Sequence, residues 1–315
     1  MLKLPKRISQ IIMPIDSRKI IGSPFGLKIA YLIGKYMPYP LGYRIAYFIA
    51  DRISSQKSLG LVQAVRGNQW VVNGGNLNKV ALDKLVRQNF RSIACSIFDM
   101  YHTLNNPTAA LRIIEPNPTA IQLVQRPEYY TRGMILAGIH MSNFDMVFHV
   151  GGLAGVKALA ITLPELDAGY RVQWDMRAKQ GFKIVQASVG SIKHAVNHLR
   201  DGGMVITAID RPDKNNTYHP MFFGNPAPLP VHHVFLALKA QVPVVIVAVL
   251  KRADGKYHIL FSEPIEMEPH ADRQMEMMMN AENTLRVAES FIRQDPSQWA
   301  MTFPVWPEVF AQVPA

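Results

Sequence analysis

A histidine and an aspartate stand five residues apart in Gly138-Ile139-His140-Met141-Ser142-Asn143-Phe144-Asp145. A carboxylate bonded to one imidazole nitrogen fixes the tautomer and leaves the other nitrogen free as a base. Five residues along an α-helix turn a side chain through about 500°, which leaves the two about 140° apart and out of reach of each other if both are helical. They can meet if His140 sits in a loop. Ser142 or Asn143 is a fitting N-cap, which places Asp145 in a first helical turn and His140 on the connection before it. Two other readings stand beside this one. One is a core histidine satisfied by a backbone carbonyl. The other is a metal site, since Asp145 and His149 are four apart on one helical face with His140 near. No further ligand motif completes that set, so no metal or other cofactor is expected.

Further candidates lie downstream. Asp210 at the carboxyl end of an apolar run, and Asp213 after it, border the cleft expected beside His140, where a second carboxylate touches the histidine pair, orients a substrate, or only caps the loop. Arg177 and Arg211 can bind phosphate or polarise a carbonyl oxygen, or stay as solvated charges. Phe222-Phe223-Gly224, followed by Pro226, Pro228 and Pro230, is a rigid apolar loop that walls a groove or plugs the core. His232-His233 reads as polar capping at a helix start, and the methionines at 275 and 277–279 read as packing.

The elements that must position these residues alternate. Short β-rich runs at 134–139, 158–162, 183–187, 204–209, 244–250 and 257–263 are mostly continuous in apolar residues, as in strands buried on both faces. Between and after them, helical spacing covers 191–200, entered at Ser191 and left at Gly202-Gly203, then 231–240 and 271–294; an amphipathic helix precedes them at 80–105. The expected fold is α/β, with a mainly parallel or mixed central sheet flanked by helices. In such sheets ligands gather beyond the carboxyl ends of the strands.

With 49% hydrophobic and 18% charged residues the chain can bury a large core, which excludes disorder. The single Cys95 excludes an internal disulfide. Of the net charge of +11, residues 1–60 carry +8, from ten Lys or Arg against two Asp. Such an end seeks an anionic surface: phospholipid, nucleic acid or an acidic carrier protein. Residues 26–50 decide among them. They are rich in Ile, Leu, Phe and Tyr, but Lys28, Lys35, Pro38, Pro40 and Arg44 interrupt them before a span of about 20 apolar residues accumulates. They suit helices lying in a headgroup layer, or a basic hairpin packed on the main domain. Residues 1–60 are thus expected to be an N-terminal membrane-docking extension and 61–315 the α/β domain. No signal-peptide pattern is read at the amino terminus, which favours the cytoplasmic side.

The ordered blocks Val65-Arg66-Gly67-Asn68, Phe90-Arg91 with Asp99, His140 to Asp145, Arg177-Ala178-Lys179-Gln180-Gly181, Ala208-Ile209-Asp210-Arg211, Phe222 to Ala227, Val242 to Val245 and Pro296-Ser297-Gln298-Trp299 resemble the lysophospholipid acyltransferase superfamily. Within it they resemble the branch of the late lipid A and phosphatidylinositol-mannoside acyltransferases. Two departures stand out: Ile139 precedes the histidine where the glycerolipid enzymes have Asn, and Ala-Met-Thr-Phe-Pro-Val-Trp follows Trp299 in place of Trp-x-x-x-Arg-Trp.

The resemblance implies an O-acyltransferase that moves a fatty acyl group from acyl-CoA or acyl carrier protein onto a hydroxyl of a lysophospholipid or glycolipid. His140, Asp145 and Asp210 would be catalytic. Arg177, Arg211, Asn143, Phe222, Phe223 and Gly224 would bind substrate. A positioned base is what a weakly nucleophilic hydroxyl lacks, and no acyl-enzyme is needed. The expected setting is the cytoplasmic face of the inner membrane, as a peripheral or monotopic protein on an anionic lipid surface. Three alternatives remain open: an inactive lipid- or thioester-binding protein, a lipid A-type enzyme specifically, and a nucleic-acid binder, whose aromatic and helix-turn-helix motifs are absent from the sequence.

Overall fold

The computed structural model describes residues 24–104, 106–115, 132–153, 155–162, 177–179 and 181–314. Residues 1–23 of the expected docking extension, and Gln180, lie outside these.

Among the described residues four helices come first: α1 (Pro24–Tyr36), α2 (Tyr39–Ser54), α3 (Gly60–Val72) and α4 (Lys79–Thr103), followed by the short α5 (Pro107–Arg112). The rest alternates as β1 (Ile114–Glu115), β2 (Met134–Gly138), α6 (Asp145–Leu153), β3 (Ala158–Thr162), β4 (Lys183–Gln186), α7 (Val189–Arg200), β5 (Met204–Ala208), the pair β6 (Met221–Phe222) and β7 (Asn225–Pro226), α8 (His232–Ala240), β8 (Val244–Lys251), β9 (Tyr257–Phe261) and α9 (Arg273–Ile292). Seven strands form one sheet in the order β1-β9-β8-β2-β5-β3-β4. The β8, β2, β5, β3 and β4 neighbours are parallel; β9 runs antiparallel to β8, and β1 parallel to β9. The sheet is therefore α/β and mixed. Its centre is apolar on both faces because β2, β5 and β8 offer apolar side chains alternately to two core layers.

Helix ends follow local chemistry. Asn78 caps α4 and Asp272 caps α9 through their side chains. The entry to α7 differs from expectation: Ser188 is the N-cap and Ser191 the third helical residue, and the two hydroxyls satisfy each other's backbone N–H groups in a capping box. At α8 neither histidine caps. His232 Nε2 meets Thr207 Oγ1, and His233 Nε2 meets Thr284 Oγ1 at 2.9 Å.

The segment after α9 packs against the first helices through side-chain amides. Asn68 Nδ2 donates to the carbonyls of Met301 (2.9 Å) and Phe303 (2.8 Å), and its Oδ1 accepts from Val305 N–H (3.1 Å). Asn89 Nδ2 donates to Ser297 and Trp299 carbonyls, and Gln69 Nε2 to that of Pro296. Gly67 gives Phe310 its place, since a Cβ there would lie 2.5 Å from the ring. Buried Arg66 pairs with Asp83 and donates to the Pro314 carbonyl. The Val-Arg-Gly-Asn block is thus a clamp on the carboxy-terminal segment. Asn68→Ala strands several buried backbone groups and should cost about 2–3 kcal/mol, read as a lower urea midpoint at an unchanged slope.

Candidate active site

The register of two neighbouring strands builds the site. Gly138 on β2 pairs with Ala208 on β5. Two residues beyond each, at the carboxyl edge of the sheet, come His140 and Asp210. Asp210 Oδ1 accepts from His140 Nδ1 at 2.7 Å, and Oδ2 accepts from the His140 backbone N–H and from Trp299 Nε1–H, both at 2.8 Å. A carboxylate can only accept, so Nδ1 carries the proton, and Nε2 is the ring nitrogen left for a substrate.

Asp210 is fully buried. Burial pushes its carboxyl pKa up, but the neighbouring His140 and the hydrogen bonds from His140 and Trp299 outweigh this and hold it below the ordinary value. Because the folded value is depressed, the stability this group contributes is present above the unfolded carboxylate pKa of about 3.9 and is lost as pH falls through the folded value. Trp299→Phe removes one donor. It should destabilise the fold by about 2 kcal/mol and, by raising the folded pKa of Asp210, start acid unfolding at a higher pH, as followed by circular dichroism.

The expectation that Asp145 folds back onto the imidazole is corrected. His140 does lie on the connection and Asp145 does open α6, but the Asp145 carboxylate accepts from Arg177 Nη2 at 2.6 Å and Nε at 3.0 Å. The Arg177 guanidinium also lies 4.3 Å from the Phe148 ring centroid. Asp145 therefore fixes Arg177, not the histidine. The donors weighed for a metal are accordingly not assembled together, and among the described residues there is no His, Cys, Asp or Glu group of three or more suited to an ion.

The bend after His140 is held from a distance. Ser142 sits at φ 50°, a left-handed conformation that costs about 1–3 kcal/mol for a residue with a side chain. The segment 298–300 lies antiparallel to 140–142 and fixes it: Ala300 N–H donates to the His140 carbonyl and Ser142 N–H to that of Gln298, both at 2.7 Å, around a Met141–Trp299 bridge. Ser142 and Asn143 do not cap α6 as expected. Asn143 is buried and its Nδ2 donates to the Ser96 carbonyl on α4 at 3.1 Å.

His140 opens into a cleft of about 580 Å³ along the carboxyl edge of β2, β3, β5 and β8. One wall is apolar, with Leu136, Ile206, Val247, Val249 and Phe148; Arg177, Arg211, Asp213, Thr207 and His232 also line the cleft. The Arg211 guanidinium stacks 4.1 Å from the Phe303 ring centroid, and Asp213 Oδ1 accepts from Asn215 N–H, the capping role weighed for it.

Four expected substrate-binding positions lie away from this lining: Asn143, held to α4 by its bond to Ser96, and Phe222, Phe223 and Gly224. Phe222 and Phe223 are buried, with Phe222 stacked on Trp306 (5.6 Å) and edge-on to Trp299 (5.8 Å). Phe223 and Gly224, at φ 50° and 74°, form the two-residue turn of the β6–β7 hairpin. These residues support Trp299 and not a groove wall. Trp299, Gln298, Thr207 and His232 are the site residues to which sequence reasoning assigned no such role. The resemblance marked the first two as a block but carried no hint of their contacts.

Fold and geometry together define a class: an α/β protein whose histidine–carboxylate pair opens into a largely apolar cleft at the carboxyl edge of its sheet. The model of the bacterial lipid A biosynthesis acyltransferase family matches residues 22–307. The chain belongs to this family and is an acyltransferase by that membership; the departure after Trp299 does not remove it. No curated protein matches the sequence.

Proposed function

We propose that the protein transfers a fatty acyl group from a thioester, acyl-CoA or acyl carrier protein, onto a hydroxyl of a membrane glycolipid or lysophospholipid, with a lipid A-type acceptor compatible with its family. The observation that carries this reading is the His140–Asp210–Trp299 chain beside the apolar cleft. His140 Nε2 takes the acceptor's hydroxyl proton as its oxygen attacks the thioester carbonyl, and the proton then goes to the leaving thiolate. Asp210 holds the ring and stabilises the transient imidazolium. The apolar wall receives the alkyl chain, while Arg177 and Arg211 offer cationic groups to phosphate. The test is incubation of purified protein with labelled acyl-CoA or acyl carrier protein and a membrane lipid extract. A radiolabelled lipid product supports the reading, and hydrolysis of the donor without any acylated lipid counts against it.

The same reading places α1 and α2 on an anionic membrane surface. Ile29, Leu32, Tyr36, Leu41, Phe48 and Ile49 are exposed there among exposed Lys28, Lys35, Arg44 and Arg52. No described helix is long and apolar enough to cross a membrane. Each cation near such a surface contributes about 1 kcal/mol that salt weakens, whereas the apolar side chains add a part that salt does not. Binding to anionic vesicles should therefore fall with salt without vanishing. The double substitution Tyr36→Asp with Phe48→Asp should weaken it at least tenfold at every salt concentration, as measured by co-sedimentation; unchanged binding would move the dock elsewhere.

A further inference from the structure

The cleft holds a second polar feature that the His140 chemistry does not use. Thr207 lies one register step before the Gly138–Ala208 pair, on the opposite face of the sheet from Leu136 and Ile206. Its hydroxyl is bonded to Nε2 of His232, the first residue of α8, and both residues border the cleft.

Burial lowers the His232 pKa to about 4, so the ring is neutral near pH 7. A neutral ring has no charge to offer a phosphate, and so weak a base would be a poor proton acceptor. What remains is hydrogen bonding. If Nε2–H donates to Thr207, the hydroxyl proton is left to donate and Nδ1 to accept. If the hydroxyl donates to Nε2, Nδ1–H is left to donate and the hydroxyl oxygen to accept. Either tautomer thus leaves one donor and one acceptor, the complement of a secondary amide.

We propose that Thr207 and His232 form a subsite for the secondary amide that acyl-CoA and acyl carrier protein both carry a few bonds from the thioester sulfur. This rests on the acyltransferase reading above. A thioester whose carbonyl lies at His140 has two arms. The apolar wall on the Leu136 and Ile206 face takes the alkyl arm, which leaves the Thr207 face for the amide arm.

The test uses the full-length protein and two unreactive thioethers, S-octyl-N-acetylcysteamine and an analogue with methylenes in place of the amide, with affinities measured by calorimetry. The wild type should bind the amide-bearing thioether about tenfold more tightly, a difference of about 1.4 kcal/mol. Thr207→Val should erase that preference while leaving affinity for the analogue unchanged, and Thr207→Ser should restore it. Equal binding of the two thioethers by the wild type, binding of neither, or an equal loss for both in Thr207→Val would overturn the subsite. An intact amide preference in a protein that turns over neither acyl-CoA nor acyl carrier protein would instead sink the acyltransferase reading and leave the amide site standing.

Discussion

His140→Ala should lower acyl transfer by about 10² to 10⁴ under single-turnover conditions, the range that a positioned general base supplies. The base acts only as the hydroxyl proton leaves, so the loss should fall on the chemical step and spare vesicle binding. The fold should survive as well. The loop is held by backbone contacts, from Ala300 to the His140 carbonyl and from Ser142 to the Gln298 carbonyl, and these do not need the imidazole. Near-normal turnover in the variant would remove His140 from the mechanism.

The second large effect separates two carboxylates. Asp210→Asn should cost about 10² or more in transfer, because an amide cannot accept from Nδ1–H, the backbone N–H and the Trp299 indole all at once. One of its own N–H groups must then face a donor in a fully buried site, at about 1–3 kcal/mol of stability. The wrong tautomer becomes the better bonded one, which places a proton on Nε2 where the base should be. Asp145→Asn should cost much less in the chemical step, since its contact is with Arg177; its loss should appear in KM for the phosphate-bearing substrate. Parallel kinetics of the two variants check this. The opposite ranking would return Asp145 to the role of ring partner.

The contrast also shows what was legible in the sequence. The strands of the parallel sheet could be read because burial on both faces writes a continuous apolar run, and His140 could be assigned to a loop because helical geometry kept it from Asp145 otherwise. Asp145 reads as the ring partner because it is the near neighbour in sequence, with Asp210 a second carboxylate that could touch the pair. Asp210 is 70 residues away and arrives through the β2–β5 register. A sign of it was present: Gly138-Ile139-His140 and Ala208-Ile209-Asp210 share one pattern, a strand end, an isoleucine and a polar residue. It becomes informative only once the two strands are known to be adjacent.

The roles of the carboxy-terminal block and of Phe222–Phe223 were hidden for a related reason. Trp299 works through a contact made possible by amides on α3 and α4, roughly 200 residues earlier in the chain. Phe223 occupies a left-handed turn position where glycine or asparagine would have announced the hairpin. Ser188 was passed over as the α7 cap because Ser191, three residues on, carries the same side chain.

The most direct test of the central claim is mass spectrometry of both lipid and protein after reaction of the purified enzyme with an isotopically labelled acyl thioester and membrane lipid extract. Direct base catalysis by His140 predicts a lipid that gains one labelled acyl group, an equal amount of released thiol, unmodified protein at every time point, and acylated lipid formed about 10² to 10⁴ more slowly with His140→Ala. Labelled acyl groups accumulating on the protein before they reach lipid, or a product formed equally well by His140→Ala, would contradict it.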